Sequence, residues 1–246
     1  MTENLDTLSS ARTALAKEQQ RLRDEIAAFE SFVKRIDDLQ PESEHSEHPN
    51  LTPAMNITTT SNSTIPLEKI KGIYHDEIFS VEHWKQSYED TEILESMTEE
   101  FGRDIVSALT TQGISWTLFV QGQLRNAGRK SAETRRNTLS LLSEEASQLQ
   151  SLYKNLAKIT EEFAQIEKPE NTFDDRTTQL EQLTSRLDTL AYEYQLYLQQ
   201  RSKSNSIYLK RLIYSELSTT YPGLTTLGVV RSHLDTLQEK HWKGEL

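Results

Sequence analysis

The sequence contains no cysteine, and only 8 of its 246 residues are glycine and 6 are proline. The absence of cysteine excludes disulfide bonds, thiolate metal sites and a cysteine nucleophile, and it is equally compatible with reducing and oxidising compartments. Tight β turns depend on glycine and proline, so this content leaves little room for a β-sheet protein. The composition therefore predicts an all-α fold.

Long hydrophobic runs are also missing. Nowhere do about 18 apolar residues follow one another, so the sequence predicts no membrane span. The N-terminus, from Met1 to Asp6, is acidic and lacks the apolar segment of a secretory signal. We therefore expect a cytoplasmic protein.

Positive charge is in deficit, because the formal net charge is −11 and the pI is about 5.1. An acidic surface repels phosphate backbones, so the net charge disfavours general nucleic-acid binding. The hydrophobic content of 35% is low for a thick globular core. It suits an elongated helical bundle, in which each helix needs only a narrow apolar seam.

Apolar residues do recur with helical spacing in the second half of the chain. Alternating steps of three and four place them on one face of a helix that fits against another helix. The pattern repeats after Pro169, which predicts two long helices folded against each other as an antiparallel bundle or coiled coil. The first run comprises Leu149, Leu152, Leu156, Ile159, Phe163 and Ile166, and the second comprises Leu180, Leu183, Leu187, Leu190, Tyr194 and Tyr197.

Glycine, proline and helix-capping residues mark the boundaries between consecutive segments of the chain. Gly102 is placed to end one helix, Thr172 and Asp175 form a capping box that opens another, and Pro222 suits a first turn. A seven-residue repeat of apolar side chains, Leu8, Leu15, Leu22, Phe29 and Ile36, marks an N-terminal helix. The predicted segments are an amphipathic helix at 1–39, a flexible linker at 40–66, short helices at 67–113, a long helix at 114–168, a return helix at 170–217 with a kink near 202–206, and a last helix at 220–243.

One group of residues carries potential metal-binding chemistry: His75, Glu82 and His83. On a continuous helix, His75 and Glu82 are seven residues apart and face the same way, which a metal site could use. No His-Glu-x-x-His motif completes the group, and no Glu-x-x-His pair recurs on other helices. The favoured interpretation is that these side chains are structural, and the sequence predicts no catalytic residue, metal or cofactor.

A second group is basic. Arg125, Arg129 and Arg136 share one helix face and could bind phosphates or an acidic partner. The alternative, more common in so acidic a chain, is that they pair with neighbouring helices of the same protein.

Scattered short segments resemble a family of uncharacterised haloarchaeal coiled-coil proteins, a domain of unknown function. The resemblance runs from Ala11-Arg12 and Ala28-Phe29, through Ile73-Tyr74, Val81 and Glu99-Glu100, to Tyr208-Leu209 and Tyr221-Pro222. It implies an archaeal protein whose family has no established activity, so it carries no catalytic role onto this chain. The most family-like positions are Tyr74, His83, Trp84, Phe101, Gly102, Tyr214, Tyr221 and Pro222.

Three functional hypotheses follow. The first is a non-enzymatic protein that binds another protein, or a second copy of itself, through its helical seams. The second is a regulatory or nucleic-acid-associated protein that uses the face from Arg125 to Arg136. The third is a metal-dependent enzyme centred on His75 and His83.

Overall fold

The structure, a computed structural model, describes residues 5–41, 67–83, 92–110, 116–168, 170–201 and 213–246. Within these ranges all regular secondary structure is helical and no strand occurs, so the all-α prediction is confirmed. None of these helices is both long and apolar enough to cross a bilayer. The helices are α1 (Asp6–Asp37), α2 (Leu67–Ile78), α3 (Ile93–Phe101), α4 (Arg103–Thr110), α5 (Leu118–Ile166), α6 (Phe173–Arg201) and α7 (Pro222–Lys243).

The chain forms two compact units. Unit 1 comprises Met1–Gln19 and Ser140–Leu246, and unit 2 comprises Gln20–Leu139. Both α1 and α5 therefore supply residues to each unit. Three sequence predictions lie outside the described residues: the linker from residue 42 to 66, the kink near 202–206, and Trp84.

The core of unit 1 is built from the predicted apolar stripes. All six stripe residues of α5 are buried, and so are Leu180, Leu183, Leu187 and Tyr194 of α6, whereas Leu190 and Tyr197 are half-buried. Arg186 pairs with Glu162 and Arg201 donates to the Leu141 carbonyl, so α6 runs antiparallel to α5. Helix α7 returns antiparallel to α6 and buries Leu227, Val230, Leu234 and Leu237.

The core of unit 2 is aromatic. Phe32 of α1 stacks on Phe101 of α3 with ring centroids 5.3 Å apart, and Tyr74 of α2 meets both rings edge-on. The Tyr74 hydroxyl is also satisfied, because it lies 2.8 Å from Ser96 Oγ.

The apolar repeat of α1, from Leu8 to Ile36, is buried throughout, so this helix packs within its own chain.

Local signals define several helix ends. The backbone N–H of Asp175 donates to Thr172 Oγ1, and the Thr172 N–H donates to Asp175 Oδ2, which confirms the capping box. Helix α7 begins at Pro222 as predicted. Gly102 ends α3 with φ of 91°, a positive value that glycine adopts more readily than other residues.

One helix end is stabilised by a distant side chain. The Gln121 amide of α5 donates to the carbonyls of Ile36 at 2.9 Å and Leu39 at 2.8 Å. These carbonyls belong to the last turn of α1 and the residues after it, where the helix supplies no i+4 donors. The Ile36 carbonyl also accepts from the backbone N–H of Leu39 at 3.2 Å. Gln121 therefore caps α1 from another helix.

Close packing of α1 against α5 requires a glycine at position 128. A Cβ atom added at Gly128 would lie 2.8 Å from Val33 Cγ2, whereas one added at Gly122 would meet nothing within 4 Å. The two glycines lie in the same helix, so they share its intrinsic helix penalty and differ in their packing.

We therefore expect opposite effects from alanine at these positions. Gly122→Ala should raise the free energy of unfolding by about 0.5–1 kcal/mol, because alanine restricts the unfolded chain and favours the helix. Gly128→Ala should lower the free energy of unfolding by about 1–3 kcal/mol, because the added methyl group overpacks the contact with Val33. Urea denaturation followed by far-UV circular dichroism measures both values. Stabilisation by both substitutions would contradict the close approach.

Candidate functional site

Four ionisable side chains meet inside unit 2: Glu25 of α1, His83 after α2, Glu100 of α3 and Arg135 of α5, here named the ionic cluster. Arg135 donates to both Glu100 oxygens, at 2.6 and 3.0 Å, and its Nε donates to Glu25 Oε2 at 2.5 Å. The other Glu25 oxygen lies 2.9 Å from His83 Nε2. No side chain of the cluster is more than 16% exposed.

The electrostatics of the ionic cluster favour a charged arginine. Burial acts to lower the pKa of Arg135, but hydrogen bonds and the charges of Glu100 and Glu25 outweigh it and raise the pKa above its ordinary value. The guanidinium also lies 4.4 Å from the centre of the Phe29 ring. The cluster therefore ties α1, α3 and α5 together beside the aromatic core.

The predicted metal-binding group is not assembled as the spacing suggested. The idea that His75 and Glu82 share a helix face is wrong, because α2 ends at Ile78 and the chain turns before Glu82. The His75 side chain is 60% exposed and lies 3.8 Å from Asp76, whereas His83 is turned inward to Glu25. Among the described residues, no group of three or more His, Cys, Asp or Glu side chains could hold a metal ion.

Two residues of the predicted basic face, Arg129 and Arg136, line a groove between α1 and α5 in unit 2, which has a volume of about 570 Å³. Arg125 and Arg129 lie 3.3 and 3.7 Å from the same carboxylate, that of Asp37. Arg136 pairs with Glu30 and with Glu133. All three arginines thus have acidic partners within their own unit, which reduces the positive potential they present to a ligand.

A second polar cluster, in unit 1, was not found from the sequence. Glu145 of α5 is only 3% exposed; Tyr197 donates to one of its oxygens at 2.7 Å and Tyr214 to the other at 3.4 Å. Arg201 Nη1 lies 3.6 Å from Glu145 Oε2 and donates to the Tyr197 hydroxyl at 2.6 Å. These four residues are named the tyrosine cluster. The only sequence signal was the placement of Tyr194 and Tyr197 at stripe positions, which indicated buried rings but no partner.

Burial is the main cause of the raised pKa values of three tyrosines in unit 1. Desolvation, followed by the negative charge of Glu145, raises the pKa of Tyr194 and Tyr214 above that of an exposed phenol. The same two causes raise the pKa of Tyr197, against an opposing contribution from Arg201. The neutral hydroxyl form is therefore the one that the fold favours.

The remaining family-like positions occupy structural places. Tyr74 and Phe101 lie in the aromatic core of unit 2, and Gly102 ends α3. Tyr214 belongs to the tyrosine cluster, Pro222 opens α7, and Tyr221 is 40% exposed.

Removal of the charge of Arg135 tests the ionic cluster. Arg135→Met should lower the free energy of unfolding by about 3–5 kcal/mol, because it leaves two partly buried carboxylates without their cation. Arg129→Met is the matched control and should change this free energy by less than about 1 kcal/mol, since Arg129 is exposed and pairs at the surface. Urea denaturation measures both changes in the free energy of unfolding. Equal changes would contradict a stabilising role for the buried ionic cluster.

Alkaline titration tests the burial of Tyr194 and of the two tyrosines in the tyrosine cluster. Because the folded-state pKa values of Tyr194, Tyr197 and Tyr214 are raised, their contribution to stability is complete below the ordinary tyrosine pKa of about 10 and is lost as pH rises above it. Phenolate absorbance should show these three tyrosines titrating only when helical circular dichroism is lost. Their titration together with exposed tyrosines, in a protein that remains helical, would contradict the assignment.

Comparison with known proteins identifies a family. A family model described as Domain of unknown function (DUF7260) matches residues 6–238. Searches of curated proteins and of solved structures returned no match. The expectation of a family without assigned activity is confirmed, whereas a haloarchaeal origin and a coiled-coil nature stay predictions. Since the match covers nearly the whole chain, this protein belongs to the DUF7260 family.

Proposed function

We propose that this protein is non-enzymatic and acts by binding another protein or a second copy of itself. General acid–base catalysis needs an ionisable group within reach of a substrate. Arg135 is instead bonded to two carboxylates inside unit 2, and Glu145 is enclosed by two tyrosines and Arg201 inside unit 1. These arrangements support a structural role for the buried charges of the described residues.

The helical seams offer little binding surface, because most of their residues are buried within the chain. Exposed aromatic side chains carry the proposal instead: Trp242 is 66% exposed, Tyr192 is 64% exposed and Phe173 is 51% exposed. Aromatic side chains bury a large area and lose few rotamers on binding, which is why they are enriched at protein interfaces. All three lie in unit 1.

The two other hypotheses have less support. The carboxylates of Asp37 and Glu30 already pair with the basic face, and the net charge of −11 opposes binding to a polyanion. A metal-dependent enzyme would need more ligands than His75 and His83 supply. A cytoplasmic location remains a prediction.

A capture experiment tests the proposed function. The immobilised full chain should retain a reproducible protein, either its own copy or another, and the triple variant Phe173→Ser, Tyr192→Ser and Trp242→Ser should lose it, because the aromatic contact area is removed. Arg125→Met, which leaves the aromatic side chains in place, is the control and should retain the partner.

Capture of the same protein by the triple variant would overturn the use of aromatic surface. Duplex DNA binding that falls steeply with added salt would instead favour the nucleic-acid hypothesis.

A further inference from the structure

We draw no further inference here: the strongest candidate, the exposed aromatic surface patch formed by Phe173 at the start of α6 and Trp242 at the end of α7, belongs to the surface already used for the proposed function, and nothing in the described residues shows what covers it.

Discussion

Burial of one apolar stripe per helix is the interaction on which both units depend. Each buried leucine, isoleucine or phenylalanine contributes about 1.5–3 kcal/mol relative to the exposed state, and the stripe on α5 alone supplies six such residues. A stripe is narrow, so packed helices enclose little interior space. Any polar side chain that enters this interior must find its partners on an adjacent helix, because water is excluded there.

The two polar clusters meet that requirement in different ways. In the ionic cluster, the forked guanidinium of Arg135 satisfies two carboxylates from different helices, which a lysine ammonium group could not do with the same geometry. In the tyrosine cluster, Glu145 receives two hydroxyl donors and one arginine. In both clusters the buried charges join residues that are distant in sequence, so they influence which helices meet and in what register.

The structural role of the buried charges directs the search for a functional surface to the exposed side chains. The buried ionisable residues contribute to assembly of the helices, and the three arginines of the basic face in unit 2 pair with acidic neighbours. Large aromatic side chains on the surface of unit 1 are not required by the core, since the apolar stripes already fill it. Recognition of a partner therefore explains the exposure of these aromatic side chains better than core packing does.

The sequence by itself determined the helical class, the apolar stripes and several helix ends, because these depend on spacing within a few turns and on local caps such as Thr172 with Asp175. Local signals were insufficient at α2, whose end at Ile78 separates His75 from Glu82. Only the tertiary structure decided the partners of Arg135 and Glu145, which lie 35 to 110 residues away along the chain. The physical reason is that such contacts depend on how whole helices pack and in which register, and each helix alone satisfies its local pattern in many registers.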